Sequence, residues 1–200
     1  MGMVLIGIKN KTMSESKNNV VTHGLSGMVG GMLVFKQVNG KTIVAQRPRK
    51  SNKEPTLSQL ERQQKFKDAA LFAKGIIKDP LYKSFYETLA VEGLSAYNVA
   101  FADFFKPPTL AKPVITSYNG VIGNKIKVQA TDDVKVLSVS VSIFDANDLL
   151  IETGFATQMP NNFDWEYLVS KNNPTLTGTK IRFEATDIPE NISVLEVEIL

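Results

Sequence analysis

Five aspartates, Asp132, Asp133, Asp145, Asp148 and Asp187, sit beside turns between runs of alternating apolar residues. Ca2+ takes six to eight oxygen ligands, and carboxylates at strand ends can supply them. These five are the candidate metal ligands of the chain. Asp145-Ala-Asn-Asp148 lacks the sixth-position glycine and twelfth-position glutamate of an EF-hand loop. Asp and Asn also stabilise turns by bonding their own backbone. Turn chemistry accounts for all five, so no bound metal or cofactor is expected.

The second cluster is basic: Lys36, Lys41, Arg47, Arg49, Lys50 and Lys53, followed by Lys65 and Lys67. Clustered Lys and Arg neutralise phosphates, which makes residues 36–67 a candidate nucleic-acid surface. No aromatic residue lies within 36–53 to stack on bases. Charged residues along a hairpin edge also guard against edge-to-edge aggregation.

Other chemistries are poorly served. His23 is the only histidine and there is no cysteine. That removes disulfides, thiolate metal sites and thiol nucleophiles together. Ser26 follows His23 by three residues, but a hydrolase triad also needs a third group and an oxyanion hole. The glycines at 24, 27, 30 and 31 run into no Lys-Ser/Thr. They also precede a strand, where a phosphate-binding loop follows one. A carboxylate pair such as Asp132 with Asp187 lacks an evident base, nucleophile and oxyanion set. The chain reads as a non-enzyme.

Several elements must position these residues. Met32–Val38 and Lys41–Gln46 are β-rich runs around Asn39-Gly40. That pair suits a two-residue turn with φ > 0 at both central positions. The register then sets Val38 against Lys41, Lys36 against Ile43 and Phe35 against Val44, with Leu33, Phe35 and Val44 on one face. Arg47–Pro55 reads as a linker. Thr56-Leu-Ser-Gln59 is a capping box. It opens a helix with Leu57, Leu60, Ala69, Ala70, Ala73, Ile76 and Ile77 near one stripe. Asp79-Pro80 caps a second helix, with Leu81, Phe85 and Leu89 repeating every four residues. Ser95 caps a third, Ala96–Phe105, which Pro107-Pro108 ends.

From Lys112 the period becomes two. The predicted strands are Val114–Tyr118, Lys125–Thr131, Val136–Phe144, Leu149–Thr157, Phe163–Val169, Lys180–Ala185 and Ser193–Leu200. Leu137, Val139, Val141 and Ile143 alternate with serines. About seven short strands at this spacing predict an all-β sandwich.

Ala130-Thr-Asp-Asp-Val and Ala185-Thr-Asp-Ile-Pro-Glu-Asn191 resemble paired signatures of bacterial immunoglobulin-like domains over residues 113–200. The resemblance implies an immunoglobulin-like fold. Glu190 stands where glycine is usual, so the final turn departs from that pattern. Gly27-Met-Val-Gly30, Val34-Phe35, Asn39-Gly40-Lys41-Thr42, Arg47-Pro48, Arg62 and Phe66 resemble a family of uncharacterised bacterial proteins over residues 24–105. This second resemblance implies one module of hairpin and helices, and no activity.

The expected fold is an α+β N-terminal module, a β-hairpin plus about three helices, followed by an all-β immunoglobulin-like sandwich. The domains are then a flexible lead-in (1–23), a hairpin and helical module (24–108) and a sandwich (112–200). Charge divides similarly. Residues 1–110 carry 16 Lys+Arg against 8 Asp+Glu, and residues 111–200 carry 7 against 12. The first apolar run, Met3–Ile8, is far shorter than the roughly 18 residues a spanning helix needs. No secretory signal pattern is visible, which points to the cytoplasm, with a cell surface or a virion as alternatives. The expected function is a non-enzymatic structural or interaction protein of bacterial or phage type, paired with a protein or with itself. The alternative is nucleic-acid binding through residues 36–67.

Overall fold

The computed structural model describes residues 14–16, 21–38, 40–47, 54–91 and 93–200. The chain is α+β, with three helices and three four-stranded antiparallel sheets among these residues. It divides into two compact units, Met1–Thr56 and Leu57–Leu200. The hairpin lies in the first, and all three helices lie in the second.

The first unit is one sheet in the order β1-β4-β3-β2. Its strands are β1 (Ser14–Ser16), β2 (Gly27–Val29), β3 (Leu33–Val38) and β4 (Lys41–Gln46). The hairpin register is the expected one: Val38 faces Lys41, Lys36 faces Ile43 and Phe35 faces Val44. Gly40 takes φ +75, as this turn requires. Asn39 lies outside the described residues. Phe35 and Thr42 are buried, while Leu33 on the same face is exposed. β1 falls in the expected lead-in, yet Ser14–Ser16 pairs with Thr42–Val44 of β4 as an edge strand.

In the second unit, α1 (Leu57–Ile76), α2 (Pro80–Leu89) and α3 (Ala96–Asp103) start where the sequence places them. Asp79 Oδ1 accepts the Leu81 N–H at 2.8 Å, with Pro80 in the first turn. Ser95 caps α3 by accepting from the Asn98 N–H. The apolar repeat assigned to α2 is corrected. Leu81 is 81% exposed and Tyr86 is fully buried. Tyr86 instead joins Ala73, Ala96, Ala100 and Ile188 in the helical core. The stripe assigned to α1 is also corrected. It merges two faces, because at about 100° per residue Ala69 and Ala73 point away from Leu57, Leu60 and Leu71. Only Ala69 and Ala73 of α1 are buried.

Two further sheets complete this unit. One has the order β5-β6-β10-β9 and the other β12-β11-β7-β8. The strands are β5 (Thr109–Val114), β6 (Lys125–Thr131), β7 (Val136–Phe144), β8 (Leu150–Phe155), β9 (Thr157–Gln158), β10 (Asp164–Leu168), β11 (Lys180–Asp187) and β12 (Ile192–Glu198). Alternate residues of both sheets share one core, including Ile126, Val128, Val139, Val141, Trp165 and Phe183. The first strand is corrected: pairing with β6 starts it at Thr109, not Val114. It slips in register between Ala111 and Val114, where Lys112 has φ 47. The slip admits Pro113 to an edge strand, where a missing N–H is tolerated.

Leu137 is the other correction. Thr186 pairs with Ser138 but Asp187 pairs with Val136, so the ladder bulges at Leu137. An extra residue in one strand reverses which side chains face inward. Val136 is therefore buried and Leu137 exposed. This bulge lies beside the cluster described next.

Candidate functional site

Asp103 ends α3, Asp132 follows β6 and Asp187 ends β11. One carboxylate oxygen from each lies within 4.8 Å of those of the other two. Apolar neighbours bring them together. Val134 and Ile188, close in sequence to Asp132 and Asp187, pack into the helical core with Tyr86 and Ala100. Burying those two side chains draws both loops beneath α3.

Asp103 is 2% exposed. The Tyr86 hydroxyl donates to its Oδ2 at 2.7 Å. Its Oδ1 has no hydrogen-bond partner among the described residues. Asp187 is fully buried. It accepts the Asn191 N–H on Oδ1 at 2.7 Å and the Asn191 side-chain amide on Oδ2 at 2.8 Å. Asp132 is half-buried, and its Oδ2 accepts the Lys135 N–H at 3.0 Å.

The neighbouring carboxylate charges raise the proton affinity of Asp103 and of Asp187. Burial is the larger effect on Asp103. Together with the charges of Asp132, Asp187 and Asp133 it outweighs the Tyr86 bond and pushes the carboxyl up to about 6. Burial also raises Asp187, against the pull of its Asn191 bonds. The Tyr86 phenol is held well above its usual range by burial and by its bond to Asp103.

Of the five predicted carboxylates, the cluster therefore takes Asp132 and Asp187. Asp133 is exposed and pairs with Lys106. Asp145 Oδ1 accepts the Asn147 and Leu149 N–H groups at 2.8 and 2.9 Å. Those backbone bonds, the one from Leu149 foremost, hold its carboxyl below the usual range. Asp148 has φ 61 and pairs with Lys180 at 2.7 Å. These two residues serve their turn.

Asp103 is the member sequence reasoning missed. The signal was present: it is the only charged residue in Ala96–Phe105. A lone carboxylate in an apolar helix either pairs or binds something.

The basic residues are placed in part. Lys36 and Lys41 share one face of the hairpin and are exposed, as is Arg47. Arg49, Lys50 and Lys53 lie outside the described residues. His23 is exposed.

A third feature is the outer face of α1. Leu57 is 73% exposed, Leu60 48% and Leu71 69%. With Gln64 and Lys67 they fall at 57, 60, 64, 67 and 71, steps of three and four residues that keep one helix face. No family model, curated protein or solved structure matches this chain.

Proposed function

We propose that this is a non-enzymatic structural or interaction protein that assembles with a second copy of itself through the outer face of α1. The supporting observation is that face: three exposed leucines on a helix that buries only two alanines. The charge pattern favours an antiparallel pair. A two-fold axis at Gln64 sets Leu57 against Leu71 and Glu61 against Lys67. A parallel pair would set Lys67 against Lys67. A closed two-fold contact of this kind is the commonest form of homo-oligomer. Exposed Met28, Val29, Met32 and Leu33 give the first unit an uncovered apolar surface too.

The immunoglobulin-like reading belongs with this proposal. Its support is strand order: β5-β6-β10-β9 and β12-β11-β7-β8. Two antiparallel sheets arranged this way around one core parallel the immunoglobulin order. Such folds host many functions, so the assembly reading rests on α1 and not on the fold.

Sedimentation velocity tests the proposal. The full chain is expected as a dimer of 22.1 kDa subunits, with little salt dependence. Leu71→Glu, on a surface residue, is expected to weaken the dimer by about 100-fold or more, since it acts twice across the axis. A monomer at every concentration would overturn the reading.

One observation favours nucleic-acid binding as a second reading. Residues 1–56 carry nine Lys+Arg against two Asp+Glu, a net +7. On that reading the full chain binds labelled oligonucleotides with an affinity that falls steeply with salt, and Lys36→Glu with Lys41→Glu weakens it at least tenfold. Unchanged affinity in the double variant would rule the hairpin out.

A further inference from the structure

We propose that Asp103, Asp132 and Asp187 bind a hard divalent cation, Ca2+ before Mg2+, that fastens α3 to the two loops beneath it. The first support is the donor set. It is all oxygen, gathered from three separate elements with one oxygen of each within 4.8 Å of the others. Oxygen-only sites select Ca2+, Mg2+ or Mn2+ over softer metals. Ca2+ accepts irregular sets of carboxylate oxygens at about 2.3–2.6 Å, whereas Mg2+ demands near-ideal octahedral geometry at about 2.0–2.1 Å and keeps several waters, so three carboxylates from separate elements suit Ca2+ better.

The second support is independent of the grouping. Asp103 is 2% exposed and its Oδ1 has no protein partner among the described residues. A buried carboxylate oxygen left bare is costly, and a cation beside Asp132 and Asp187 removes that cost. Tyr86 supports the same arrangement by donating to Oδ2, which fixes the carboxylate's orientation. Outer hydrogen bonds of this kind are usual behind metal-binding carboxylates.

Local charge also leaves room for a cation. Lys106 is occupied by Asp133, and the Lys135 ammonium lies 5.9 Å from the centre of the Phe85 ring. Among the described residues, none of the three carboxylates makes a direct ion pair, and Lys106 acts on Asp132 and Asp103 only at longer range. Access exists as well. A cleft of about 460 Å³, lined among others by Thr131, Asp132, Asp133 and Lys106, reaches Asp132 from solvent.

The experiment uses the full chain stripped with EDTA and titrated with Tb3+, a luminescent stand-in for Ca2+. Tyr86, bonded to Asp103, is placed to sensitise Tb3+ emission. Emission should appear on tyrosine excitation, fall as Ca2+ competes, and drop at least tenfold in Asp103→Asn and Asp132→Asn. It should persist in Asp145→Asn, whose carboxylate serves a turn. In parallel, Ca2+ in millimolar excess should raise the wild-type Tm by roughly 5 °C over EDTA. That arm needs no variant, so poor folding of a variant cannot mask the answer. Equal Tm values in Ca2+ and EDTA would overturn the proposal, as would emission that survives Asp103→Asn. The carboxylates would then be held together by shared protons.

Discussion

Gly120→Ala is expected to destabilise the second unit by about 2–6 kcal/mol, from backbone strain and overpacking together. Gly120 has φ +76, where a side chain is strained whatever the space around it. There is also no space. A Cβ would lie 2.1 Å from the Asn173 carbonyl oxygen and 3.0 Å from Leu176 Cδ2. Asn173 cannot retreat cheaply. Its N–H donates to the Gly120 carbonyl at 2.7 Å, and its buried side-chain amide donates to Thr179 Oγ1 at 2.8 Å. Moving the loop breaks both bonds. In a chain of this size the loss corresponds to a Tm decrease of about 10 °C. Gly123→Ala is the control, because Gly123 has φ +89 but a Cβ there would meet nothing within 4 Å. It should lose only the backbone strain, about 1–2 kcal/mol. Equal losses at both sites, read by thermal denaturation, would show that Asn173 does not hold the loop.

Asp103→Asn is expected to stabilise the cation-free protein above pH 6. The folded carboxyl is pushed up to about 6, mainly by burial, from an ordinary value near 3.8. The folded state therefore binds the proton more tightly than the unfolded one. Its stabilisation is fully present below pH 4, fades as pH rises through 4 to 6, and is absent above. The difference is on the order of 3 kcal/mol. Asparagine keeps the size, can still accept from Tyr86, and can donate to a neighbouring carboxylate. In EDTA, wild-type Tm should fall between pH 5 and pH 8, and the variant should fall less. A variant less stable than wild type at pH 8 in EDTA would contradict this account.

Local chemistry was legible in the sequence wherever one short-range rule decides the outcome. Asn39-Gly40 dictates a two-residue hairpin, and the register of β3 on β4 follows from it. Asp79-Pro80 and Ser95 cap helices by side-chain geometry alone. β6 and β7 match their predicted bounds because alternation is unbroken from Lys125 to Thr131 and nearly so from Val136 to Phe144.

What escaped depends on partners distant in the chain. Pairing with β6 draws β5 back to Thr109, although Val114–Tyr118 has the stronger strand composition. The bulge that turns Leu137 outward arises opposite Thr186 and Asp187, some fifty residues away. Leu57 and Leu60 look like core because apolar residues usually do, but both are exposed. Asp132 and Asp187 were legible as acidic turn residues. Their meeting with Asp103 was not, since nothing local ties the end of α3 to two sandwich loops. The fold was therefore legible strand by strand and helix by helix, and the candidate site by two of its three carboxylates.

The most direct test of assembly through α1 is a cysteine cross-link. The chain has no cysteine, so Gln64→Cys supplies the only thiol. An antiparallel pair with its axis at residue 64 brings the two thiols together, and a disulfide needs Cα atoms within about 7 Å. Mild oxidation is predicted to give a covalent dimer of the Gln64→Cys protein, and to link Leu57→Cys with Leu71→Cys only when the two variants are mixed. Gln64→Cys that stays monomeric under the same oxidation, or Leu57→Cys that links to itself, would contradict the account.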